Sequence, residues 1–242
     1  MNIERRHLLQ GLAALPLVAS ASTAHAATND IVLTCDTALG PAMMAAAEQF
    51  LRTAHIRVHV FPTGPGLILP QLARHIQNDI ACTQQAAMAT AVARGLVAAG
   101  EPRGAWRNRL VVAARPGAGM VATTKRVAVS DPTPGSDMDG PAILRGLGLS
   151  PATVLGVIDT DEVAFLLGRG EADSGLLHMT DIHATRGLET LLAVPDGAAP
   201  PIIYTIAVTK LVKHRDAPAF VEFLTSAAGG KVLSEQGLEI VS

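Results

Sequence analysis

Three short segments of small and polar residues carry the side-chain types that bind small anions. They are residues 35–38 (CDTA), 62–66 (PTGPG) and 83–85 (TQQ), and each lies between an apolar run and a helical pattern. The start of a helix exposes unpaired backbone N–H groups and the positive end of the helix dipole, which favour oxygen-rich anions. Threonine hydroxyls add donors, and none of the three segments contains lysine or arginine. The segments therefore predict a site that holds an anion through neutral donors.

A second group combines two imidazoles with a carboxylate. His178 and His183 lie five residues apart in the run LHMTDIH, which also contains Asp181. These groups are metal ligands in many proteins, so a metal centre is one interpretation. The other is that His183 lies on an exposed helix surface and that Asp181 caps this helix. The sequence contains no G-x-S-x-G, H-E-x-x-H or EF-hand motif. We therefore expect a binding protein without a cofactor rather than an enzyme.

The first part of the chain alternates strand and helix patterns. Three segments read as strands and three as helices, in the order 31–35, 41–53, 55–61, 67–77, 79–83 and 86–94. Pro41 suits the first position of the first helix. Short connections between alternating strands and helices predict a parallel sheet with helices on both faces. The carboxyl ends of parallel strands meet at one edge, where such folds bind ligands, and the three turn segments follow these ends.

The second part of the chain predicts a further sheet. Strands are expected at 109–115, 126–130, 154–159 and 174–178, with helices at 141–146 and 161–167. A strand at 202–208 and helices at 217–226 and 229–236 follow this set. The spacing suggests an α/β protein of two lobes, with the chain crossing near 109–113 and again near 202–208. We expect residues 27–109 with 205–242 in the first lobe and residues 110–204 in the second. A ligand cleft would lie between the lobes.

The N-terminal segment predicts where the protein works. Residues 1–26 combine the pair Arg5–Arg6, an apolar run that is too short to cross a membrane and the exit sequence Ala24-His25-Ala26. This pattern is typical of an export signal of the twin-arginine type that is cleaved near Ala26. We therefore expect a periplasmic protein.

The composition limits the partners of the exported chain. Removal of residues 1–26 from the 242-residue chain leaves 216 residues, with 17 basic and 20 acidic side chains and a net charge of −3. Only 3 % of the residues are aromatic, and no basic block is present. Both features argue against nucleic acid as a partner. We expect a monomer that binds a small solute.

The two cysteines leave two alternatives open. Cys35 and Cys82 each end a short apolar strand, and neither belongs to a C-x-x-C motif. If the two strands are neighbours, the thiols can form a disulfide in an oxidising compartment. Otherwise they are buried free thiols that behave as small hydrophobic groups.

Nearly the whole exported chain resembles, in order, the periplasmic molybdate-binding proteins. The runs IVLTCDTALGPAMMAAAEQF and HVFPTGPGLILPQLARHIQNDIACTQQAAM are similar to the opening strands, turns and helices of that family. RNRLVVAARPG resembles its lobe-crossing segment, and VAVSDPTPG resembles its strand and DP turn in the second lobe. GEADSGLLHMTDIHA is similar to its G-[IV]-[VL]-Y-x-[ST]-D-A signature. The resemblance implies a type II periplasmic binding fold that closes on a ligand and delivers it to an ABC permease in the inner membrane.

The resemblance also implies ligand contacts in the first lobe. A serine of the family's first turn donates to the oxyanion, and the ungapped match puts Ala38 there, with Thr37 beside it. The serine of the second turn falls on Gly64, beside Thr63. Each lost hydrogen bond to a charged ligand is worth about 1.5–3 kcal/mol, so two losses weaken binding by roughly two to four decades. Asp36 adds a carboxylate that would repel a dianion further.

The remaining contacts implied by the resemblance belong to the second lobe. Backbone donors of the family fall near Asp137 and near Thr160, and the tyrosine that reaches the oxyanion falls on His178. Molybdate or tungstate is the ligand that the family predicts. A metal ion or small organic solute bound through Asp36, Thr63 and His178 is the second hypothesis. A periplasmic enzyme or an accessory interaction module on the same scaffold is the third.

Overall fold

The computed structural model describes residues 30–119, 125–130 and 139–241. The predicted export signal at residues 1–26 and the predicted ligand contact Asp137 lie outside the described residues. No helix in these ranges is long and apolar enough to cross a bilayer.

Within the described residues, the larger of two sheets has six strands, in the order β11 (Leu238–Ile240), β4 (Arg103–Asn108), β10 (Ile202–Val208), β3 (Ile80–Gln84), β1 (Ile31–Asp36) and β2 (Val58–Thr63). β1 pairs in parallel with both β2 and β3, while β10 and β11 run antiparallel to their neighbours. The predicted parallel arrangement of the first three strands is confirmed, and their carboxyl ends lie at one edge.

Five helices accompany this sheet: α1 (Gly40–Ala54), α2 (Ile68–Ala73), α3 (Gln85–Ala93), α7 (Ala217–Thr225) and α8 (Ala227–Glu235). α1 begins with Pro41 near its first position and ends before His55, which adopts a left-handed backbone with φ 57°. Its buried Phe50 packs against Phe220 of α7, with ring centroids 5.1 Å apart. The predicted helix at 67–77 is shorter in the structure, because the chain leaves the helix after Ala73 and turns through left-handed His75.

In the described part of the chain, the smaller sheet has five strands, in the order β7 (Thr153–Val157), β6 (Arg126–Ser130), β8 (Ser174–His178), β5 (Leu110–Ala114) and β9 (Glu189–Ala193). β6 pairs in parallel with β7 and β8, whereas β5 runs antiparallel to β8 and β9. The helices beside it are α4 (Gly140–Gly146), α5 (Thr160–Arg169) and α6 (Met179–Ala184). Two mixed sheets flanked by helices confirm the predicted α/β class.

The chain passes between the two sheets at two places. Arg109 alone separates β4 of the larger sheet from β5 of the smaller one, and residues 194–201 connect β9 back to β10. Arg107 beside the first crossing forms an ion pair with Asp196 in the second. This pairing lowers the pKa of the Asp196 carboxyl, chiefly through the hydrogen bond from Arg107. β10 pairs with β3 and β4 along its length. The lobe boundaries at 109/110 and 204/205 stay predictions.

Candidate functional site

The three turn segments singled out in the sequence meet at one edge of the larger sheet. Asp36, the last residue of β1, is the register partner of Thr63, the last residue of β2. On the other side of β1, Cys35 is the register partner of Cys82, which places Thr83 beside Asp36. The structure thus brings together the segments that follow β1, β2 and β3, as the sequence predicts.

Asp36 is fixed by two neutral donors from β3. The Thr83 hydroxyl donates to Asp36 Oδ1 at 3.1 Å, and the Gln84 backbone N–H donates to Oδ2 at 3.3 Å. Asp36 is only 2 % exposed, and its side chain does not cap the 3₁₀ turn Thr37–Leu39 that follows it. Burial, and then the Asp36 charge, raises the pKa of the Tyr204 hydroxyl. The Asp36 carboxylate therefore accepts hydrogen bonds from the neighbouring strand β3 instead of capping the turn that follows β1.

The other predicted contacts of the larger sheet offer few side-chain donors. Ala38 is buried and Thr37 is half-buried. The Thr63 hydroxyl donates to the Phe61 carbonyl at 3.2 Å, so its proton is already used within β2. Gly64 has φ −52°, a conformation open to any residue. An added Cβ there would meet only a Leu67 methyl at 3.8 Å. A side chain such as serine would therefore fit at Gly64 without a clash.

His178 ends β8 in the smaller sheet and is buried. Its backbone N–H donates to Asp181 Oδ2 at 2.8 Å, and its ring Nδ1 lies 3.2 Å from the same oxygen. Asp181 is thereby the capping carboxylate of α6, and His183 is exposed on that helix. Both observations match the capping interpretation of this motif. The part of the chain that the structure describes contains no group of three His, Cys, Asp or Glu side chains able to hold a metal ion.

Thr180 joins the two halves of the site, a role that sequence reasoning missed. Its hydroxyl donates to the Ala38 carbonyl at 2.7 Å and accepts a hydrogen bond from Asn108 Nδ2 at 2.9 Å. Its backbone N–H lies 3.4 Å from Asn108 Oδ1. All three residues are buried. The sequence offers only two weak signals of this contact: Asn108 is a polar residue next to the predicted chain crossing, and Thr180 is a polar residue at a helix start.

Thr160 is buried at the start of α5 in the smaller-sheet half of the molecule, as predicted. The N-terminus of α5 is capped by Asp159, whose side chain accepts from the Glu162 N–H at 3.0 Å. Partial burial, together with the charges of Asp181 and Asp159, raises the pKa of Asp161. The starts of α5 and α6 therefore share one acidic neighbourhood.

Comparisons with known proteins agree with this architecture. Residues 31–239 match the sequence model of a family described as bacterial extracellular solute-binding protein. The molybdate-binding protein ModA of Mycobacterium tuberculosis is 25 % identical over 219 residues, covering 86 % of this chain and 84 % of that protein. The Azotobacter vinelandii periplasmic molybdate-binding protein has a TM-score of 0.75 at 16 % identity, covering 88 % of this chain and 100 % of its own. The substrate-binding domain of a putative molybdenum ABC transporter from Clostridium difficile has a TM-score of 0.71 at 21 % identity, with coverages of 88 % and 99 %.

Proposed function

The chain belongs to the bacterial extracellular solute-binding proteins, and from this premise we propose that it binds a small oxyanion of the molybdate or tungstate type. The ligand would lie in a cleft between the edge where β1, β2 and β3 end and the starts of α5 and α6. The protein would then deliver it, as a periplasmic monomer, to an ABC permease. The observation that carries the proposal is the convergence of three helix-start turns, none of which contains lysine or arginine, at one sheet edge.

The chemistry of these turns suits an anion more than a neutral solute. Backbone N–H groups at helix starts are donors with a partial positive charge, and they hold an oxyanion without a formal cation. No side-chain cap is present at the start of α3, and the 3₁₀ turn after Asp36 has none either. The relatives named molybdate-binding or molybdenum transporter proteins supply the first ligands to test.

Thermal unfolding with added oxyanions tests this function. A ligand that binds only the folded state stabilises it by about 2.7 kcal/mol at 100 times its dissociation constant. We expect molybdate and tungstate to raise the melting temperature of the protein with residues 1–26 removed. The absence of any shift with both anions, up to millimolar concentration, would contradict the proposal.

The missing serine hydroxyls provide a gain-of-function test. Gly64→Ser adds a hydroxyl where the structure leaves room, and Ala38→Ser adds one at the end of the first turn. If these residues contact the oxyanion, each variant should bind molybdate about tenfold more tightly or better, because a hydrogen bond to a charged ligand is worth about 1.5–3 kcal/mol. Gly168→Ser is the matched control, since an added Cβ there meets no atom within 4 Å and the residue lies within α5.

A second candidate ligand is favoured by the buried Asp36 carboxylate. A carboxylate only accepts hydrogen bonds, so a cation or an amine-bearing solute would pair with it directly. Asp36, Thr63 and His178 would then be the expected contacts. Stabilisation by a divalent cation or an amine, lost in His178→Ala and absent with oxyanions, would favour this candidate. Turnover of a substrate without such stabilisation would instead favour an enzyme.

A further inference from the structure

We propose that Asp36 is a specificity-determining residue that competes, as a built-in anion, with the oxyanion ligand for the donors at the end of β3. The inference rests on the proposed oxyanion function and concerns the same site. It predicts that Asp36 lowers the affinity of the protein for oxyanions, and that it lowers the affinity for dianions more than the affinity for monoanions.

Asp36 already occupies two hydrogen-bond donors at the end of β3. Both carboxylate oxygens accept from β3, Oδ1 from the Thr83 hydroxyl at 3.1 Å and Oδ2 from the Gln84 N–H at 3.3 Å. Gln84 is the N-cap residue of α3, so its N–H lies at the positive end of a helix. These are the donor types that suit an oxyanion, and a carboxylate is itself an oxyanion. A ligand that needs these donors must displace Asp36 from at least one of them.

The Asp36 carboxylate is buried beside the proposed ligand site. Asp36 is 2 % exposed, so water screens its charge poorly. The Asp36 carboxylate would also act on the ionisable groups around it. Burial first and Asp36 second raise the pKa of Cys35 in β1, and burial, Cys35 and Asp36 raise that of Cys82 in β3. Burial first, then Asp36 and more weakly Asp181 of α6, raise the pKa of Tyr204 in β10, while a hydrogen bond with Gln84 lowers it.

The selectivity follows from Coulomb's law. At a given distance, a dianion is repelled by a fixed carboxylate twice as strongly as a monoanion of the same shape. Tungstate and perrhenate form such a pair, because both are tetrahedral oxyanions and they differ by one unit of charge. Removal of the Asp36 charge should therefore improve tungstate binding more than perrhenate binding.

The test compares these two anions in Asp36→Asn and in the parent protein by isothermal titration calorimetry. The amide side chain keeps the size of the residue and an oxygen acceptor but removes the charge. We expect tungstate affinity to rise about 10- to 100-fold, the effect of roughly one charge-assisted hydrogen bond, and perrhenate affinity to rise by a smaller factor. Unchanged or weaker tungstate binding, or an equal gain for both anions, would overturn the inference.

Asp79→Asn is the matched control. Asp79 is also buried, at 1 % exposure, and its carboxylate accepts from the Val32 N–H at 2.8 Å and the Lys213 N–H at 2.7 Å. It precedes β3, whereas Thr83 and Gln84 end that strand, so it lies at the opposite edge of the sheet. This variant should lose stability while its tungstate affinity stays unchanged.

Two further measurements keep the inference testable if Asp36→Asn does not fold. Asp36→Ala removes both the charge and the acceptor, and should again bind tungstate more tightly than the parent. A crystal structure of the parent with tungstate should show the ligand on Thr83 or Gln84 and Asp36 moved from it. Tungstate bound with both Asp36 hydrogen bonds retained would overturn the inference alone. Failure of the parent and of both variants to bind either anion would overturn the oxyanion function as well.

Discussion

The Thr180 hydroxyl donates a hydrogen bond to the Ala38 carbonyl at 2.7 Å, across 142 positions of the sequence. Thr180 belongs to α6, which follows β8 of the smaller sheet, and Ala38 belongs to the turn after β1 of the larger sheet. Asn108, next to the first chain crossing, donates to the same hydroxyl. One buried threonine therefore sets the distance between two turns that the proposed ligand would contact.

Thr180→Val should destabilise the protein, because it keeps the shape of the side chain but removes both hydrogen bonds. The Ala38 carbonyl and Asn108 Nδ2 would each lose a buried partner, at a cost of about 1–3 kcal/mol. Urea denaturation followed by circular dichroism measures this loss. Thr190→Val is the control, because Thr190 is exposed on β9. Equal stabilities of the two variants would show that the bridge contributes nothing.

Gly175→Ala should destabilise the smaller sheet. A Cβ at Gly175 in β8 would lie 2.4 Å from Val163 Cγ1 and 3.2 Å from the Ala128 carbonyl oxygen. Strand and helix would have to separate, which costs about 1–3 kcal/mol. Gly168→Ala is the same substitution within α5, where the added Cβ meets nothing within 4 Å. That variant should be stabilised by up to about 1 kcal/mol. Thermal melts that rank the two variants in the reverse order would contradict this packing.

Asp173 should make stability depend on pH in the acid range. The Arg126 guanidinium and two backbone N–H groups hold the pKa of Asp173 at about 2. Because this value is below that of the unfolded chain, about 3.9, the stabilisation is complete above pH 4 and disappears as the pH falls through 2. Asp173→Asn should therefore cost less than about 1 kcal/mol at pH 7, since the pair is partly exposed. The difference from the parent should vanish near pH 2; a difference that grows on acidification would contradict the assignment.

Cys35 and Cys82 should resist thiol reagents in the folded protein. They are register partners on β1 and β3, and both are fully buried free thiols in the structure. Burial raises the pKa of each thiol, so the reactive thiolate is scarce at pH 8. We expect almost no labelling in buffer and two thiols per chain in guanidinium chloride. A count of zero in denaturant without reductant would reveal a disulfide instead.

Much of the secondary structure follows from local patterns. The strands predicted at 126–130, 174–178 and 202–208 have these bounds in the structure, because each is a short apolar run flanked by turn residues. β4, β9 and β11 were not predicted. β4 contains two arginines and a glycine, and β9 and β11 are edge strands of their sheets. Such strands form because a neighbouring strand offers hydrogen bonds, and a local pattern does not report that neighbour.

The sequence by itself determined the alternation of strands and helices, the family resemblance and the three turns that follow β1, β2 and β3. These properties depend on residues close together in the chain. Only the tertiary structure decided that Asp36 accepts from Thr83, 47 positions away, and that Thr180 reaches Ala38. Such contacts depend on strand register and on where a helix packs, and a hydrogen bond forms only when both place donor and acceptor about 3 Å apart.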